Sequence, residues 1–175
     1  MDSEEAINLA DYRRHVHEMY ARVRAGSDAE AAWYQWRSDR DRLFKDHSSS
    51  AIEPMHREAF TGLHYFSYDP GYRFEVSLVP LSSTPVAITH SGEDRTDFVP
   101  IGTVSLRDIG VNETLTVYWL EAYGGGLFLP FRDATAAEST YGGGRYLLDT
   151  VKGADLGGTS HRLLLDFNYA YHPSC

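Results

Sequence analysis

An α+β fold, with two N-terminal helices packed on an antiparallel β-meander that forms a barrel-like or sandwich sheet, is predicted by three observations. Residues 3–46 carry apolar side chains at helical spacing in two blocks. From Phe60 the period changes to that of short strands separated by turn signals. The gaps between those strands are too short for helical crossovers, so neighbours must run antiparallel. Helices first and strands afterwards is the α+β order, and 175 residues suit one domain over 1–175, with a helical hairpin at 1–46 and the meander at 60–171.

The first helix is predicted over 3–25, because Tyr12, Val16, Met19, Tyr20 and Val23 fall on one face and Gly26 supplies a C-cap. Ser27-Asp-Ala-Glu30 has the form of a capping box and starts a second helix that runs to about residue 46. Its Trp33, Trp36, Arg40, Leu43 and Phe44 share a face, which reads as core. Pro54 near the start of 53–58 suggests one further helical turn.

Strands are predicted over 72–79, 85–89, 98–107, 113–122, 127–131, 144–150 and 162–169. A meander of this size closes into a barrel or folds into a sandwich to hide its edges. Gly124-Gly-Gly126 and Gly142-Gly-Gly144 lack the contexts of a Walker loop or a dinucleotide fingerprint, and read as turns with positive φ or sites of close backbone approach.

Composition excludes several functions. A net charge of -9 opposes binding to nucleic acid or to anionic lipid. No window is apolar enough to span a bilayer or to serve as a signal-peptide core, so a cytoplasmic location is expected. Cys175 is the lone cysteine, which rules out an internal disulfide and a cysteine-based zinc site. No His-Glu-x-x-His or Gly-x-Ser-x-Gly occurs, His15 and His17 cannot share a helix face, and Ser160-His161 point apart if extended. A site gathering His64, His90, His161 or His172 with Asp166 has no ligand spacing behind it; no metal and no cofactor are predicted. The two lysines, Lys45 and Lys152, against fourteen arginines fit either life in high salt or a GC-rich genome.

Chemistry-bearing residues concentrate between 127 and 168. Asp133, Thr135, Glu138, Thr140 and Tyr141 occupy the loop after the 127–131 strand, and Arg145 opens the next strand. Asp166 and Asn168, two apart on the last predicted strand, are expected to face one side of the sheet. If that strand lies near 144–150, Arg145 meets Asp166 or Asp133. Three readings compete for this cluster. Arg145 forked onto carboxylates could fasten the loop to the sheet. The same groups could rim a pocket for a small polar or anionic ligand. Asp133 or Glu138 with Asp166 could supply a general acid and base, as in hydrolases.

Phe131-Arg-Asp-Ala-Thr135, Glu138 with Thr140-Tyr-Gly-Gly-Gly-Arg-Tyr-Leu147, and Leu165-Asp-Phe-Asn168 with Ala170, Tyr171, Pro173 and Cys175 resemble a widespread prokaryotic family, domain of unknown function 1684. Phe60-x-Gly-Leu-x-Tyr-Phe66, Asp69-Pro-Gly-Tyr-Arg-Phe74 and Trp36-Arg37 resemble its earlier segments. The resemblance implies a shared pattern but brings no activity. It also implies that relatives continue beyond the position of Cys175 into a tail with a second cysteine, and that many carry an extra β-rich portion before the middle segment. The reading adopted is a small-ligand-binding domain, with Arg145 on an anionic or hydroxylated group and Tyr141 beside it. The alternatives are a hydrolase-like enzyme using paired carboxylates and a protein-interaction module presenting Trp33 and Trp36. Oligomeric state is left open.

Overall fold

A computed structural model describes residues 1–82, 86–89, 95–121, 123–159 and 162–172. Helix α1 spans Ser3–Ala25, α2 spans Ala29–Asp46 and α3 is the single turn Pro54–Arg57. The capping box sits on α1, where Asp2 and Glu5 bond each other's backbone amides. In α2 the cap is Asp28, whose carboxylate accepts from Ala31 N at 3.0 Å, so the helix starts one residue later than a Ser27 cap would place it. Gly26 does end α1, donating to Arg22 O and Val23 O, but at φ -72 and without a left-handed turn. The short connection folds the helices into an antiparallel pair, with Arg22 on Asp39 at 2.8 Å at one end and His47 on Asp11 at 3.2 Å at the other. Among the described residues no helix is long and apolar enough to cross a membrane.

The strands are β1 (Arg73–Ser77), β2 (Val79–Pro80), β3 (Val86–Thr89), β4 (Arg95–Ser105), β5 (Thr114–Leu120), β6 (Gly126–Phe131), β7 (Arg145–Asp149) and β8 (Arg162–Asp166). All pairings are antiparallel, and β4 to β7 form the expected meander. The larger sheet has the order β2-β4-β5-β6-β7, with β3 also on β4, and does not close. It is an open sheet, so the barrel-like expectation gives way to a layered one. β8 leaves the meander and pairs with β1, Arg73 opposite Asp166.

That two-stranded ribbon is the middle layer. Odd-numbered Leu163 and Leu165 face the larger sheet, where Val76, Val104, Val117, Leu129, Leu147 and Leu148 form one core. Leu164 faces the helices, where Met19, Tyr20, Trp33, Trp36, Leu43, Ala154, Leu156 and Tyr169 form a second. The alternation of a strand thus gives one short ribbon two buried faces. The five residues assigned to the inner face of α2 are the five that α2 buries. With Trp33 and Trp36 0% and 1% exposed, the interaction surface that they were to present does not exist. The glycine turns are as expected: Gly124, Gly125 and Gly144 have positive φ, and Gly126 lies against Val151 and Thr150.

Candidate functional site

The loop between β6 and β7 is built on Asp133. Its Oδ1 accepts from Thr135 N at 3.0 Å and from the Thr135 hydroxyl, and the Thr135 hydroxyl lies 3.0 Å from that of Thr140. The Thr135 carbonyl then collects Glu138 N, Ser139 N and Thr140 N, closing a compact turn. The remaining oxygen of Asp133, Oδ2, receives Arg145 Nη2 at 2.6 Å. Burial raises the Asp133 carboxyl's pKa, but the hydrogen bonds from Thr135 and Arg145 outweigh it and hold the group below the usual carboxylate range. The Arg145 guanidinium lies 5.1 Å from the Phe131 ring centre and 5.8 Å from that of exposed Phe66, both within cation–π range.

Gly144 aims Arg145. Its φ is +99, and a Cβ there would sit 2.6 Å from the Phe131 carbonyl oxygen. Gly144→Ala is therefore expected to cost about 1–3 kcal/mol through backbone strain. Gly142→Ala, with φ outside the left-handed range and only the Ala137 methyl at 3.3 Å, should cost clearly less. Urea unfolding of the two variants beside wild type checks the difference.

Asp166 and Asn168 do not belong with Arg145. β8 ends at Asp166, and Phe167–Tyr169 turn into a 3-10 helix capped by the Asp166 carboxylate, so the two residues do not share a strand face. Asp166 Oδ1 takes Asn168 N at 3.0 Å and Asn168 Nδ2 at 2.7 Å. Asn168 Nδ2 also donates to Asp69 O at 2.8 Å, its Oδ1 accepts from Asp69 N at 2.9 Å, and its carbonyl accepts from Trp33 Nε1 at 2.9 Å. The cation beside Asp166 is Arg73, at 3.5 Å. Every arm of Asn168 ties one piece of chain to another, which makes it a fastening. Asp166 is 0% exposed, so the paired-carboxylate hydrolase reading lacks an accessible second carboxylate. Glu138 is exposed on the loop.

Two residues outside the predicted cluster, His172 and Arg40, join its surroundings, His172 lying within the fields of both Arg145 and Arg40. His172 Nδ1 accepts from Tyr141 N at 3.3 Å, the two rings 6.1 Å apart. Partial burial, and after it the fields of Arg145 and Arg40, push the His172 pKa down, so the ring is neutral at neutral pH. Arg40 is buried against Trp36, Phe44 and Tyr171 at 5.5, 5.0 and 4.9 Å, and no carboxylate among the described residues pairs with it. The signal for Arg40 was its position on the apolar face of α2.

A second cluster was not anticipated. Asp11 and His15 stand one turn apart on α1, and His47, the C-cap of α2, meets them from the facing helix. The hydrogen bond with His47 does most to hold Asp11 below the usual carboxylate range. The i,i+4 pair was legible; the third member depends on how the helices pair. Of the histidines weighed as ligands, His90 and His161 lie outside the described residues, as do Ser160 and Cys175, and His64 is exposed.

The model of the family described as "Protein of unknown function (DUF1684)" matches residues 58–175, and the chain belongs to that family. No curated protein matches. A solution NMR structure of an uncharacterized protein from Haloarcula marismortui is similar at 30% identity and a TM-score of 0.54, over 83% of this chain and 79% of that one.

Proposed function

We propose that this family member is a non-enzymatic domain that binds a small anionic or polyhydroxylated ligand at Arg145, with Tyr141 packing beside it. One observation carries the reading. Asp133 commits Oδ1 to Thr135 and gives Arg145 only Oδ2, so a single carboxylate oxygen holds a five-donor guanidinium, and its other donors have no partner among the described residues. A structural arginine of this kind is ordinarily forked on both oxygens. The surroundings suit a ligand with an acid group. Aromatic rings wall the guanidinium, Tyr141 is 56% exposed on the same loop, and the neutral His172 ring carries no competing charge.

The test is a panel of small carboxylates, phosphates and sugars, read by thermal unfolding and by amide chemical shifts, on wild type, Arg145→Met and Tyr141→Ala. Arg145→Met alone should cost about 1–3 kcal/mol, since the Arg145 side chain is only 11% exposed, while Asp133, 38% exposed, can turn to water and Met keeps the apolar stem. A panel compound should raise the wild-type unfolding temperature and shift amides of 133–145, and the Arg145→Met variant should lose both effects. Equal binding by wild type and Arg145→Met would remove the proposal.

A further inference from the structure

We infer that Asp11, His15 and His47 form a binding site for a divalent transition metal of the zinc type, placed where the start of the helical hairpin meets its end. The distances are those of a coordination sphere. Asp11 Oδ2 lies 3.2 Å from His47 Nε2 and 3.5 Å from His15 Nδ1, and one donor atom from each residue falls within 4.8 Å of the other two. A tetrahedral ion with bonds of about 2.0–2.1 Å has donor-to-donor edges of about 3.3–3.4 Å. The Asp11–His47 edge is therefore already formed, and rotation of the half-exposed His15 ring, which releases Nδ1 from the Asp11 carbonyl 3.0 Å away, completes the other two.

The donor set selects the ion. Two imidazoles and one carboxylate suit zinc, nickel, copper or cobalt, whereas calcium and magnesium need more oxygens than the site offers. His47 is the fixed wall, its side chain 12% exposed and its ring edge-on to Tyr12 at 5.3 Å. His15, 51% exposed, is the open side through which an ion enters. Arg14 bonds the other Asp11 oxygen, Oδ1, and so orients the carboxylate from the outer shell while leaving Oδ2 for the ion. Three protein donors leave the fourth position to solvent. A cavity of about 300 Å³ lined by His15, His47, Arg42 and Asp46 lies on that side.

Loading has a local consequence. Ser49 N donates to His47 Nδ1 at 3.0 Å, which puts the proton of the neutral ring on Nε2, pointing at Asp11. An ion on Nε2 displaces that proton, Nδ1 takes one up from solvent, and the Ser49 amide must release its acceptor. The charge of His47 is unchanged, while the turn after α2 is rearranged. Metal binding thus signals to the turn through one hydrogen bond.

The experiment is titration of the chelator-treated chain with zinc chloride, followed by calorimetry and by amide spectra. The expected result is about one zinc per chain, as three converging donors imply, with the Ser49 amide among the largest shifts. His15→Gln, on an exposed helix position, should fold like wild type and weaken zinc binding by roughly tenfold or more. His47→Gln should do the same, with folding checked by its unfolding midpoint, and His64→Gln should leave binding unchanged. Absence of zinc uptake, uptake unaffected by His15→Gln, or a Ser49 amide that stays in place would each overturn the site. None of these readouts depends on Arg145, so this inference and the ligand proposal fail or stand separately.

Discussion

Trp36→Ala should lower the free energy of unfolding by about 3–5 kcal/mol, the upper end of what a single core truncation costs. Trp36 is 1% exposed and is ringed by Tyr20 at 5.9 Å, Tyr65 at 5.6 Å and Tyr169 at 4.9 Å. Truncation removes the side chain at the junction of α1, α2 and the turn after β8, and the surrounding rings are too rigid to collapse into the gap. It also strips one of the three aromatic faces from Arg40, a buried cation that no carboxylate among the described residues compensates. Trp36→Phe separates these contributions. The indole N–H has no hydrogen-bond partner among the described residues, so Phe sacrifices volume without stranding an acceptor there, and a loss of about 1–2 kcal/mol is expected. Urea unfolding followed by circular dichroism measures both. A loss below about 1 kcal/mol for Trp36→Ala would mean that the helical pair unfolds independently of the sheets, with a slope too small for a chain of this size.

The order and kind of the elements were legible because they rest on local patterning. The inner face of α2 follows from the spacing of Trp33, Trp36, Arg40, Leu43 and Phe44, which buries the same five residues whatever lies opposite. Partner choice was not legible. That β8 pairs with β1 and not with β7 brings together residues about ninety positions apart, and nothing in either strand names the other. One aspartate motif belongs to turns. Asp69, Asp133, Asp155 and Asp166 each accept a hydrogen bond from the backbone amide two residues on, at 2.8–3.0 Å. This is the turn-forming use of aspartate, and Asp-x-Gly, Asp-x-Thr and Asp-x-Asn are its sequence forms. The spacing of Asp133 to Thr135 and of Asp166 to Asn168 marks both as caps, against the acid and base roles expected of them. Arg145 was placed with the right loop, and Asp133 is the carboxylate that it meets; Asp166 went to Arg73 because the sheet order differs.

Asp166→Ala and Asp166→Asn should diverge, and the size and pH dependence of the gap test what the buried carboxylate contributes. Ala removes the acceptor of Asn168 N and Asn168 Nδ2 in a site with no exposure, so a loss of about 2–4 kcal/mol is expected. Asn keeps that acceptor in the Oδ1 position and changes only Oδ2, which has no hydrogen-bond partner among the described residues and faces Arg73 at 3.5 Å. Arg73 is partly exposed and can turn to water, so Asp166→Asn should lie within about 1 kcal/mol of wild type at pH 7. Burial pushes the Asp166 carboxyl above the usual carboxylate range, against the hydrogen bonds of Asn168 and the charge of Arg73. Between the unfolded value, about 3.9, and the higher folded one, the native state keeps a proton that the unfolded chain has lost. The contribution of Asp166 to stability is therefore full below the unfolded value and declines as pH rises through the folded one. Asp149, also raised by burial, acts in the same direction, while Asp11 and Asp133, both lowered, lose their stabilisation on acidification. Comparing wild type with Asp166→Asn cancels those three. The variant should gain on wild type as pH rises from 4 to 7, by about 1.4 kcal/mol for each unit by which folding raises the pKa. If Asp166→Asn instead falls as far as Asp166→Ala at every pH, the negative charge on Arg73 holds the β1–β8 ribbon, and the acceptor for Asn168 is secondary.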